Sequence, residues 1–268
     1  MNAKELYQAG QLSEAIAAAT DDVKRRPGDS ASRAFLCELL CFAGDLERAD
    51  TQANAIGDQD PRTLVAVSLL RHLLRAEVAR RQFYEEGRVP EFLEAAPLPP
   101  RLKAHLKASI CLREGRAEEA LRLLESAENE RPHVAGVCNG REFEDLYDVD
   151  PMSSSFFEVL TGSGKYYWVP MENVQSLEFR APRQLRDLLW RSAHLTLHGG
   201  LDAEVYLPVL YAGSHAETDD RIRLGRVTDW RGGDGAPRRG VGRREFQVGQ
   251  DELDILELQQ ITTKQPEG

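Results

Sequence analysis

Four small groups of residues have the types that do chemistry, and the spacing of each can be set against what that chemistry requires. Gly162, Ser163, Gly164 and Lys165 resemble the end of a phosphate-binding loop. That loop needs a glycine where Val159 stands and a hydroxyl residue where Tyr166 follows the lysine. A hairpin turn is the better reading. Cys37 and Cys41 are four apart, which would put two thiolates on one helix face, but no histidine or further cysteine stands at a matching distance. They read as core packing. His194 and His198 share that spacing in a stretch of strand and turn character, where it does not converge two imidazoles. The acids Glu142, Glu144, Asp145, Asp148 and Asp150 lack the alternating ligands and central glycine of a calcium loop and read as a solvated linker. No serine or cysteine sits in a nucleophile elbow. The sequence therefore predicts no catalytic residue, no cofactor and no metal site. An enzyme site around Arg186, Asp187 and His194 is the alternative with the least support from spacing.

Binding offers more. Arg33, Glu38, Lys103, Lys107 and Arg113 would face outward from the first helices of helical hairpins, a partly basic lining for a short groove that takes one helix of a partner. Trp190 and Trp230 belong to a cluster of aromatics, with Tyr166, Tyr167, Trp168 and Tyr211, in which interface anchors and core residues are both expected. The glycine-rich run carrying Arg231, Arg238, Arg239, Arg243 and Arg244 reads as a mobile, positive hairpin tip, with the docking of an acidic partner as the alternative.

The elements that would hold these residues follow from a repeated phrase: AGQLSEAI at 9–16, AGDLERAD at 43–50 and EGRAEEAL at 114–121. Each turn glycine (Gly10, Gly44, Gly115) is followed 17 residues later by a proline (Pro27, Pro61, Pro132). The copies are 34 and 71 residues apart, the spacing of tetratricopeptide helix pairs. Small residues recur at fixed offsets, Ala15, Ala49 and Ala120 after the glycine and Ala3, Cys37 and Ala108 before it, where two antiparallel helices must approach closely. Residues 64–86 predict one long helix, and Gly87, Pro90, Pro97, Pro99 and Pro100 predict an irregular linker after it.

Past Pro132 the helical period stops. Short β-rich runs follow at 156–160, 166–169, 174–179, 195–197, 204–207, 223–227, 246–248 and 253–258, interrupted by a helical turn at 182–190. Residues 251–261 fit a strand or a helix. The fold class is α+β: tetratricopeptide-like helical repeats over 1–135, an acidic linker over 136–155, and a small, mainly β domain, an antiparallel sheet or barrel, over 156–268.

A hydrophobic content of 41% in 268 residues supports real cores. No apolar run reaches the roughly 18 residues of a membrane helix, and Met1 to Arg26 is amphipathic and mixed in charge, so a cytoplasmic location away from membranes is expected. The four cysteines fit reduced, buried thiols. A net charge of −10 argues against a nucleic-acid partner, because phosphate contact needs clustered positive charge. Protein partners are expected.

The phrases KYYWVPMENVQSLEF (165–179), LRDLLW (185–190), LPVLYAGS (207–214) and RLGRVTDW (223–230) resemble the ImpE family, whose members are also called SciE-type or TagJ proteins. The resemblance extends from the helical repeats to Trp230. It implies a non-enzymatic adaptor of a bacterial type VI secretion system, in the cytoplasm. Its implied partners are the small subunit of the contractile sheath, bound through that subunit's N-terminal helix, and the ring ATPase that disassembles the sheath. No catalytic residue carries over. The alternative is a general repeat-type chaperone or assembly scaffold for another complex.

Overall fold

Gly10, Gly44 and Gly115 take φ values of 81°, 75° and 75°, the left-handed conformation that lets a chain leave one helix and return along it. In this computed structural model, which describes residues 1–93 and 97–265, each separates a pair of helices. The pairs are α1 (Ala3–Gln8) with α2 (Leu12–Arg25), α3 (Ser30–Phe42) with α4 (Leu46–Gln59), and α6 (Pro100–Arg113) with α7 (Ala117–Asn129). Ala15, Cys37, Ala49, Ala108 and Ala120 have no exposed surface, as residues at a close helix crossing must. Asn2, Asp29 and Asp45 cap the helices that follow them with side-chain oxygens.

Between the second and third pairs runs α5 (Leu64–Glu86), the long helix expected there, which ends at Gly87 with φ 87°. Its buried face, Leu70, Leu73, Leu74, Ala76 and Phe83, carries the core from the helices into a β region. The linker after it forms two backbone hydrogen bonds through Glu91, which receives the Trp168 N–H at 3.1 Å and donates to the Tyr166 carbonyl at 2.9 Å. That contact covers a sheet edge that would otherwise be open to pairing with another chain.

The β region is larger than the small domain expected. Its main sheet is antiparallel with eight strands: β1 (Gly136–Cys138), β2 (Arg141–Phe143), β4 (Phe156–Thr161), β5 (Tyr166–Pro170), β6 (Val174–Phe179), β7 (Trp190–Leu197), β8 (Asp202–Pro208) and β13 (Gln260–Thr263). They are ordered β2-β1-β13-β6-β7-β8-β4-β5, an open sheet rather than a closed barrel. A second sheet has β3 (Leu146–Asp148), β11 (Glu245–Val248) and β12 (Asp251–Asp254), and β9 (Thr228–Gly233) pairs with β10 (Ala236–Gly242). Residues Phe156 to Leu160 of β4 are all buried, because α5 packs on the strand and Phe157 meets Phe246 of the second sheet, ring centres 5.7 Å apart. The turn at 162–164 joins β4 to β5, as the hairpin reading of that glycine pair required.

Three expectations change and one open alternative is settled. The stretch 136–155 is no solvated linker: β1, β2 and β3 lie within it, and β1 pairs with β13, Val137 opposite Thr262. The run 223–227 is not a strand, because Asp219 caps a helical turn, α8 (Asp220–Arg223), and Gly225 turns the chain at φ 62°. The arginine-rich run is not a loose tip but the β9–β10 hairpin, reversed at Asp234 and Gly235 with φ 48° and 92°. Residues 251–261 resolve to strand, turn and strand, with no helix.

Candidate functional site

A charged cluster lies where α5 meets the sheets. On α5, Arg80 and Tyr84 are one turn apart and face the sheet; on β4, Glu158 points back at them. The Glu158 carboxylate accepts from Arg80 Nε and Nη2 at 3.0 and 2.8 Å, from Arg244 Nη1 at 2.8 Å, and from the hydroxyls of Tyr84 and Tyr166 at 3.1 and 2.5 Å. Arg244 also holds Asp148 of β3, through Nε at 2.9 Å and through Nη2. Asp148 accepts the Tyr211 hydroxyl at 3.0 Å and the Asp150 N–H at 2.9 Å. Asp150 in turn binds Arg239 Nε at 2.8 Å and the Gly240 N–H at 3.1 Å. Arg80, Asp148, Asp150, Glu158 and Arg244 are each at most 4% exposed.

Charges so deep are stable only when paired and fully hydrogen-bonded. Burial pushes Glu158 up, but Arg80 and Arg244 overcome it and hold the carboxyl at about 2. Burial pushes Asp148 above the usual carboxylate range against the pull of Arg244. Burial and the Glu158 charge raise both Tyr84 and Tyr166, so their hydroxyls stay protonated donors. The cluster is thus charge-balanced and saturated with donors. Its chemistry is to lock α5, β3, β4 and β10 in one arrangement.

The expected binding residues do not gather in one groove. Arg33 turns along its own hairpin, donating to Gln52 Oε1 at 2.7 Å and to the Pro27 carbonyl at 3.0 Å. Glu38 is half-buried beside Arg186, and burial raises its pKa. Arg113 donates to the Phe83 carbonyl at 3.0 Å. Lys103 and Lys107 are exposed on α6, in line with the exposed Ile110. Trp190, a candidate binding residue of the aromatic cluster, is 3% exposed and donates Nε1–H to Glu77 at 3.0 Å. Trp230 is half-exposed, its ring 5.8 Å from that of Tyr211, with the Arg238 guanidinium 5.1 Å from its centre. The helical turn of 182–190 shortens to Leu185–Leu188, and Trp190 opens β7.

No group of three or more histidine, cysteine or acidic side chains arranged to hold a metal occurs among the described residues. His194 is paired with Asp202 at 2.9 Å and His198 with Thr263 at 3.0 Å. The four cysteines are buried free thiols. Among the described residues, no helix is long and apolar enough to cross a membrane.

The chain is 34% identical over 262 residues to the type VI secretion system accessory component TagJ of Pseudomonas aeruginosa, across 97% of this chain and 90% of that one. The family model described as ImpE protein matches residues 140–262. This protein belongs to the ImpE family. A crystal structure of protein VPA1032 from Vibrio parahaemolyticus superposes on it with a TM-score of 0.91 at 27% identity, covering 98% of this chain and 97% of that one. The ImpE match spans both small sheets, the charged residues Asp148, Asp150, Glu158, Arg239 and Arg244 of the cluster, and its hydroxyl donors Tyr166 and Tyr211. Arg80 and Tyr84 lie outside it, on the helix that the ImpE region clasps.

Sequence reasoning missed the cluster because its members look like solvent charges. The available signal was positional. Arg80 falls on the apolar stripe of α5, three after Glu77 and four after the fully buried Ala76, and Glu158 interrupts the apolar run FFEVL. A charge on a face that periodicity assigns to the core calls for an opposite charge on whatever that face packs against.

Proposed function

We propose that this protein is a non-enzymatic accessory component of a bacterial type VI secretion system. It acts in the cytoplasm, binds the N-terminal helix of the small contractile-sheath subunit, and links that subunit to sheath disassembly by the ring ATPase. The observation that carries the reading is the identity to TagJ along nearly the whole of both chains. The helical hairpins support it as a tetratricopeptide-like scaffold, since such arrays present surfaces to helical segments of partners. The saturated ion cluster supports a non-enzymatic role.

Of the residues first considered, Lys103 and Lys107 are the ones whose charges are exposed and free of intramolecular ion pairs among the described residues, and Ile110 adds an apolar contact on the same face of α6. Trp230 with Arg238 is the second exposed candidate. Co-purification of the full chain with the small sheath subunit, intact or lacking its N-terminal helix, tests the reading. Capture of the intact subunit alone is expected, with Lys103→Glu combined with Lys107→Glu weakening it. Equal recovery of both forms, or of neither, would overturn it.

A further inference from the structure

The face of α7 that carries Leu121, Leu124, Glu125 and Glu128 and the segment 145–154 form the two walls of an open groove of about 510 Å³, a size typical of ligand clefts. Its floor is apolar: Leu121 and Leu124 from the helix, Tyr147, Val149 and Pro151 from the β segment. Four carboxylates line it, those of Glu125, Glu128, Asp145 and Asp148, against one cation, Arg131.

That cation is unavailable to a ligand. Arg131 is 5% exposed in its side chain and donates to Glu128 at 2.9 Å and to both oxygens of Asp145 at 2.9 and 2.7 Å, with its guanidinium 4.7 Å from the centre of the Tyr147 ring. It ties the walls together and sets their separation. Asp148 is spent on Arg244 beneath the floor. Glu125 is exposed and has no ion-pair partner among the described residues, and Glu118, two turns earlier on the same helix face and beyond the lining itself, is likewise exposed and unpaired.

We infer that this groove is a docking site for a basic amphipathic peptide segment of another protein, with leucine-sized side chains on the apolar floor and lysine or arginine against the Glu118 and Glu125 side. The charge excess of the lining fixes the sign of the partner, and the floor fixes its apolar anchors. Spacing of Leu121, Leu124, Glu125 and Glu128 along one helix face aligns floor and rim in parallel rows, so a segment with apolar and basic rows matches both at once. The site is on α7, apart from the α6 face offered to the sheath subunit, and it stands whether or not that reading holds.

Fluorescence anisotropy with a labelled amphipathic peptide of leucine, alanine and lysine, titrated with the full chain, tests the site. A copy with glutamate in place of lysine and a scrambled copy are the reference probes. Glu125→Lys, on an exposed residue that no fold contact needs, is expected to weaken binding at least tenfold, and Leu121→Asp by as much. Glu14→Lys, an equal change in net charge on exposed α2, is expected to leave binding within twofold. The proposal is overturned if Glu125→Lys binds like the parent, if Glu14→Lys weakens binding equally, or if the glutamate or scrambled peptide binds as well as the lysine one.

Discussion

His105 has no exposed surface on α6; its Nε2 is 3.0 Å from Ser155 Oγ, and the Phe156 ring stands edge-on at 5.3 Å. Burial and the nearby Arg101 charge push its pKa down to about 3. In the unfolded chain the imidazole takes a proton near pH 6.5, while in the folded protein it does not until about 3. Between those values the unfolded state binds more protons, so stability falls as pH drops, by about 1.4 kcal/mol per unit from this group alone. His215, half-buried and also shifted down by burial, adds a slope of the same sign, and the partly exposed His194, shifted up by its hydrogen bond to Asp202, opposes it. Glu158 acts lower, its contribution being lost as pH falls from the ordinary carboxylate range through about 2. Urea unfolding between pH 6.5 and 5 should show stability falling with acid, and His105→Gln should remove most of that slope. An unchanged slope in the variant would assign it to other groups. At this scale the packing role of Cys37 and the turn at Gly164 were legible, because both depend on neighbours in sequence. The arginine partners of Glu158 and Asp148 were not, because they lie 78, 86 and 96 residues away, beyond any local pattern.

At the scale of elements, the repeated hairpins were legible and the short strands were not, for a shared reason. A helical hairpin announces itself through residues at fixed offsets, whereas a strand of three residues, such as β1 or β3, carries too few positions for alternation to be seen. The hairpins themselves had a signal. Asn139-Gly140 between β1 and β2 and Asp234-Gly235 between β9 and β10 both have positive φ, as two-residue turns require. The repeat glycines are alike in backbone but not in surroundings. Gly44 and Gly115 share φ 75°, yet a Cβ on Gly44 would stand 2.4 Å from the His215 ring and 3.0 Å from Arg81 Nη2, while one on Gly115 would meet nothing within 4 Å. Arg81 also donates to the Gly44 carbonyl at 2.8 Å. Gly115→Ala should therefore cost only the left-handed penalty of about 1–2 kcal/mol, and Gly44→Ala should lower the melting temperature further by pushing His215 and Arg81 off the turn. Equal losses in calorimetry would show that the loop carrying His215 does not press on the hairpin.

At the scale of the whole molecule, the division into a helical half and a β half was legible, but not the way the halves are joined. Composition shifts near Pro132 suggest a boundary, and a boundary suggests units that fold separately. The contacts across it argue otherwise. Phe83 packs edge-on to Trp168 at 4.8 Å, Trp190 bonds to Glu77, and Arg226 reaches from the β region to the Gln8 carbonyl at 2.8 Å. One core cluster runs through both halves, and at its centre Arg80 of α5 and Arg244, just before β11, are balanced by Glu158 of β4 and Asp148 of β3. Removing Arg80 by truncation would leave Glu158 buried beside a single guanidinium, and removing one partner of a buried pair costs about 3–5 kcal/mol. The placement of chromophores makes the coupling measurable. All three tryptophans lie in the β half, whereas α1 to α7, which dominate the helical circular dichroism, lie in the first 129 residues. Urea transitions followed by tryptophan fluorescence and by circular dichroism should share one midpoint, and Arg244→Met should lower both together. Two separated midpoints, or a loss confined to the fluorescence signal, would mean that the ion cluster serves the sheets alone. With a single midpoint, α6 and α7 are presented to partners by a rigid body, and a partner seated on either face gains no freedom to reorient the sheets behind it.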